Sequence, residues 1–211
     1  MDADRRDPPG PRLPGSVCYP AYALFLAIVL TLCDGLAHVR QDVLFYTDPG
    51  RFSLLAGQPT AEVFAGFVGV AAFCTGAGWA LFRHADPPGV PRAATATAIF
   101  VGCYFASGLL RDAPMVLYAA FMAIWLAQLL TYPSTDVRRV VALSVLFGVL
   151  GPIVEGWRSS TGFFAYYDQD AYNVPLWLSG LYFNGAVAVA ATITTVETWR
   201  RGAVPAVPAS A

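Results

Sequence analysis

An all-α membrane bundle of about six transmembrane helices is the fold class this sequence predicts. Three observations carry it. Hydrophobic residues make up 56% of the 211-residue chain and charged residues only 13%, about half the usual share for a soluble domain. Mean hydropathy is +0.53. Six apolar runs, at 18–39, 61–82, 93–110, 114–132, 139–157 and 174–197, each approach the ~20 residues that a membrane helix needs.

Taken in order, residues 1–17 are rich in Pro and charge and read as a disordered tail. A competing reading makes residues 1–33 a late signal peptide, with Leu30 to Cys33 imitating a lipoprotein cleavage box. Leu32 before Cys33 is a poor small-residue site, and the membrane-helix reading is kept. Residues 18–200 form a single bundle domain, without a convincing internal repeat, and 201–211 a flexible tail. Ala65 with Gly69, Ala72 with Gly76, and Gly148, Gly151 and Gly156 read as small-residue packing positions.

Arginine sets the orientation, because the chain has no lysine. Arg5, Arg6, Arg12, Arg83, Arg92, Arg138, Arg139, Arg200 and Arg201 fall on the side of the termini. Only Arg40, Arg51, Arg111 and Arg158 fall opposite. The positive-inside rule then places both termini in the cytoplasm; separately, an integral position in a bacterial cell membrane is expected.

The absence of lysine also excludes a retinal or pyridoxal Schiff base and a phosphate-loop lysine. A net charge of −1 gives no nucleic-acid footprint. Four cysteines without ligand spacing and two histidines predict no metal site, and no cofactor is expected.

Polar groups inside the runs ask for a reason, since an ionisable residue at a helix centre costs ~2.5–3.5 kcal/mol on insertion scales. Asp34 and Glu155 each lie about sixteen residues into their runs, going outward, and so at matched depth. His38 follows Asp34 at i+4, on the same face. Asn184 lies near mid-membrane, with Trp177 seven residues earlier, and Tyr118 reaches this level from the fourth run. Around Glu155 the chain is dense in aromatics: Trp157, Phe163, Phe164, Tyr166, Tyr167 and Tyr172. An outward-facing polar cavity walled by aromatics follows. Each member also has a structural reading. Asp34 is placed to bond His38, and Glu155 to pair with Arg158. Asn184 is placed to join helices, and Asn173 with Pro175 to start one.

A carboxyl group in an apolar pocket can stay protonated near neutral pH and act as a general acid, and aromatic faces stabilise cations. That equipment suits carbocation chemistry on a hydrophobic isoprenoid delivered by membrane lipid. No carboxylate run suited to Mg²⁺-dependent diphosphate ionisation is present.

Glu155, the segment Gly162-Phe163-Phe164-Ala165-Tyr166 and the start Pro175-Leu176-Trp177 resemble a pattern in membrane carotenoid-biosynthesis proteins, the hydratases and lycopene-cyclase-like proteins. In size and build the chain is also similar to the small integral-membrane terpene cyclases. The resemblance implies a proton-initiated terpene cyclase or hydratase, with Glu155 as acid and Asp34 as its catalytic partner. Trp157, Phe164, Tyr166, Trp177, Asn184, His38 and Tyr118 are then the substrate-binding candidates. The alternative is a non-enzymatic membrane accessory or lipid-binding protein. Substrate and oligomeric state stay open.

Overall fold

The computed structural model describes residues 14–201 except 49, 51, 56, 86–88 and 133. Most of the 1–17 tail, the 202–211 tail, and Arg5, Arg6, Arg12 and Arg51 lie outside the described residues. Six helices form a bundle: α1 (Gly15–Cys33), α2 (Thr60–Phe82), α3 (Val90–Leu109), α4 (Pro114–Leu130), α5 (Ser134–Ser160) and α6 (Trp177–Arg200). A π-helical turn, Asp34–Val39, prolongs α1. Four of the six, α1 with its π turn, α2, α5 and α6, are long and apolar enough to cross a membrane, and α4 is a shorter apolar helix.

The axis of the bundle is α6. Of its apolar stretch 78% is buried, against 39% for α1, 22% for α2 and 28% for α5, so the outer helices turn most of their surface outward. Small residues make this central place accessible. A Cβ at Gly180 would lie 2.9 Å from Phe121, and one at Gly185 would lie 2.9 Å from Phe100, which lets α3 and α4 press close. Its buried threonines return their hydroxyls to the helix's own carbonyls, as Thr195 does to Ala191 at 2.9 Å, so none is left unpaired.

The small residues predicted to pack divide in two. Gly148, Gly151 and Gly156 do pack, against Phe183, Tyr182 and the Tyr172 carbonyl, whereas a Cβ at Gly69 or Gly76 would meet nothing within 4 Å. Gly69 lines a cavity instead.

One feature departs from purely helical structure. Strand β1 (Leu44–Tyr46) pairs antiparallel with β2 (Phe164–Tyr166), with Leu44 opposite Tyr166 and Tyr46 opposite Phe164. Side chains alternate across a strand. Leu44, Phe164 and Tyr166 are buried while Phe45 is exposed. A two-stranded ribbon is marginal alone, and this one is held by the inward rings. The ribbon follows the outgoing helices α1 and α5, so it caps the bundle end opposite the termini. At the other end Tyr19 of α1 donates its hydroxyl to Glu197 of α6, and Arg200 and Arg201 pair with the same carboxylate at 3.0 and 3.5 Å.

The start of α6 also differs from expectation. Asn173 does not cap it. It stands at φ 63° in a left-handed turn, and Asp170 Oδ2 accepts the Leu176 N–H at 2.8 Å.

Candidate functional site

Two carboxylates are delivered by the same local device. Asp34 ends α1 and Glu155 lies in the last turns of α5. Each is followed by glycine, then by a strand ending in tyrosine: Asp34-Gly35 leads to Leu44-Phe45-Tyr46, and Glu155-Gly156 leads to Phe164-Ala165-Tyr166. Tyr46 donates its hydroxyl to Asp34 Oδ2 at 2.8 Å. Tyr166 donates to Glu155 Oε2. The two antiparallel strands therefore hold two matching acid–tyrosine pairs. This is an internal repeat that the sequence reading missed. The spacing is twelve residues in the first copy and eleven in the second. The π turn, which adds a residue to a helical turn, stands where the longer copy needs it.

A further side-chain donor reaches each carboxylate. Tyr182 of α6 donates to Glu155 Oε1. Gln58, fully buried, donates its Nε2 to Asp34 Oδ2 at 2.7 Å and to the Thr31 carbonyl at 3.1 Å. Gly35 makes room for that loop, since its Cβ would lie 2.2 Å from Leu55. Burial first, then the adjacent carboxylate, pushes the Tyr46 and Tyr166 hydroxyls well above their usual range. They remain protonated donors.

Both carboxylates line one cavity of about 350 Å³. Its walls are α2 (Val63, Phe67, Val70, Phe73) and α5 (Phe147, Leu150, Val154), with Tyr182 of α6 behind and Tyr46, Phe163 and Phe164 above. Phe73 is 50% exposed, Leu150 39% and Val154 46%, so the cavity opens sideways between α2 and α5. A smaller hollow shares Phe67, Val70, Cys74, Phe147 and Tyr182 with it and continues to Tyr22 and Thr192. Arg158 also lines the cavity, its guanidinium 4.6 Å from the Phe163 ring centroid. The proposed Glu155–Arg158 ion pair is not made among the described residues. The tyrosines take both Glu155 oxygens instead.

The other predicted site residues scatter. Phe164 is in the cavity wall, and Tyr166 supports Glu155 from its position on β2. Trp157 is 60% exposed and faces outward. His38 bonds not Asp34 but Ser107 Oγ, at 3.0 Å, and stacks near Tyr104 and Trp177. Trp177 packs edge-on against Phe121. Asn184 ties α6 to α4, donating to the Phe121 carbonyl at 3.0 Å and accepting from Gln128 at 2.8 Å. Tyr118 is half-buried against the core. Sequence reasoning missed Tyr46, Gln58 and Tyr182. The repeated acid–glycine…tyrosine pattern was the signal for Tyr46, and none pointed to Gln58. Among the described residues no three His, Cys, Asp or Glu side chains come together as a metal site.

The fold is that of a mycobacterial Insig homolog. The crystal structure of MvINS from Mycobacterium vanbaalenii matches with a TM-score of 0.73 at 22% identity, covering 90% of this chain and 98% of that one. A cross-linked trimer of an MvINS variant matches with a TM-score of 0.72 at 23% identity over the same shares. No protein-family model matches the chain, and no curated protein matches it in sequence. The likeness is one of fold, and it extends over nine-tenths of the chain.

This overturns the kinship with carotenoid hydratases, lycopene cyclases and terpene cyclases, which rested on about 25 residues around Glu155. The proton-initiated cyclase or hydratase reading falls with it. The physical reasons are visible in the site. Of the aromatic substrate-binding candidates Trp157, Phe164, Tyr166 and Trp177, only Phe164 lines the cavity, and both Glu155 oxygens are engaged by tyrosine hydroxyls.

Proposed function

We propose that the chain is a non-enzymatic membrane protein that binds one hydrophobic, hydroxyl-bearing lipid in the Asp34–Glu155 cavity. The observation that supports this most is the cavity's polarity. It is apolar along α2 and α5, with its hydrogen-bonding groups gathered at the ribbon end. A volume near 350 Å³ is within the ordinary range for a small-ligand site, ~300–1,000 Å³. The lateral opening admits a molecule from the bilayer. The narrower hollow beyond it suits an elongated tail.

The head-group end favours an alcohol. Asp34 Oδ2 accepts from both Tyr46 and Gln58, and among the described residues no donor reaches Oδ1. Asp34 lines the cavity, and a ligand hydroxyl there supplies that donor. We further propose one bundle domain over residues 18–200, flanked by two tails. The termini are cytoplasmic on the nine-to-four arginine asymmetry.

Titration of the purified protein with a radiolabelled long-chain alcohol tests the binding reading. Saturable binding of one molecule per chain is expected, with the alcohol recovered chemically unchanged. Absence of saturable binding, or recovery of a converted product, contradicts it.

A further inference from the structure

A second hollow, of about 310 Å³, lies between α3 and α4, away from the walls of the first. It is graded in polarity along its length. Arg92, Thr131 and Tyr132 line it at the termini end of the bundle, and Ile99 and Ile124 line it deeper. Each isoleucine is seven residues from the polar rim, about 10 Å along its helix. The Arg92 guanidinium is held in place. It lies 3.7 Å from the Tyr132 ring centroid and donates to Thr131 Oγ1 at 2.7 Å.

Among the described residues Arg92 pairs with no carboxylate, and one of its five N–H donors is used by a side chain. A pre-positioned guanidinium with free donors fits phosphate oxygens two at a time. The apolar trough below fits a hydrocarbon chain, and the order, charge at the rim and apolar inward, is the order of a phospholipid.

We propose that this groove is a binding site for an anionic phospholipid, with Arg92 on the phosphate and one acyl chain between α3 and α4. The proposal does not depend on the ligand of the other cavity. Ala127 is exposed on the groove wall, so a larger residue there fills the trough without entering the core.

Binding of phosphatidylglycerol and phosphatidylcholine is measured by native mass spectrometry on the full chain in mixed micelles. Wild type, Arg92→Gln and Ala127→Phe are compared, with thermal midpoints in lipid-free detergent as a check on folding. Wild type is expected to prefer phosphatidylglycerol. Both variants should weaken its binding about tenfold, and free glycerol phosphate should not compete. If Arg92→Gln fails to fold, Ala127→Phe carries the test alone.

Unchanged phosphatidylglycerol affinity in the folded variants overturns the proposal. So does competition by glycerol phosphate equal to that by the lipid, which marks an anion site without a chain. A change in oligomeric mass for Ala127→Phe with lipid binding intact also overturns it, because a second copy of the chain is then the occupant.

Discussion

Glu155→Leu should destabilise the folded protein by about 2–4 kcal/mol, and removing the tyrosine hydroxyls that face it should recover much of the loss. Tyr166 and Tyr182 both donate to this carboxylate. Leucine leaves both hydroxyls without an acceptor, at about 1–3 kcal/mol each for a buried group. The lower end applies to Tyr182, which lines the cavity where water can reach it. Deleting both sides of a buried hydrogen bond is far less costly than deleting one. Glu155→Leu combined with Tyr166→Phe and Tyr182→Phe is therefore expected to be more stable than Glu155→Leu alone. Equilibrium unfolding in mixed micelles measures this. Coupling below ~0.5 kcal/mol, where neighbouring partners ordinarily show ~0.5–3 kcal/mol, contradicts the hydrogen-bonded arrangement.

Val154→Trp should abolish most lipid binding while leaving the fold intact. Val154 is 46% exposed and lines the lateral mouth between α2 and α5. An indole there narrows the entrance without displacing core side chains. At least a tenfold loss of affinity is expected, equivalent to ~1.4 kcal/mol. Val149→Trp is the matched control. It lies on the same helix at 52% exposure and outside the cavity lining, so it should bind as wild type does. Equal losses in both variants would place the entrance elsewhere.

The helical bundle was legible because burial in lipid imposes a composition: six apolar runs gave six helices, with ends within a few residues except at α5. There the 139–157 run is only the apolar middle of Ser134–Ser160. Asp136 and the arginines at 138 and 139 precede the apolar middle, where the helix continues though hydropathy stops.

The central place of α6 was not legible from apolarity. It is marked by small residues, Gly180, Gly185 and the alanines that follow them, and the meaning of the glycines depends on which rings face them. Asp34 and Glu155 stood out because ionisable groups in apolar runs are rare, and their matched depth follows from helix rise. The ribbon was hidden because three-residue strands carry too little alternation to separate from an aromatic loop. Without the ribbon, Tyr46 had no visible route to Asp34. Trp157 misled because neighbourhood in sequence was taken for neighbourhood in space. On a helix, a residue two positions from Glu155 points to a different face.

Photolabelling tests the central claim most directly. A long-chain alcohol carrying a diazirine in its chain is equilibrated with the protein in membranes, irradiated, and its adducts are mapped by peptide mass spectrometry. Adducts are expected on Phe67, Val70 and Phe73 of α2 and on Phe147 and Leu150 of α5, the walls of the cavity, and Val154→Trp should suppress them. Adducts spread equally over the exposed outer residues Leu24, Ile28 and Leu32 of α1, and unaffected by Val154→Trp, would contradict a lipid held between α2 and α5.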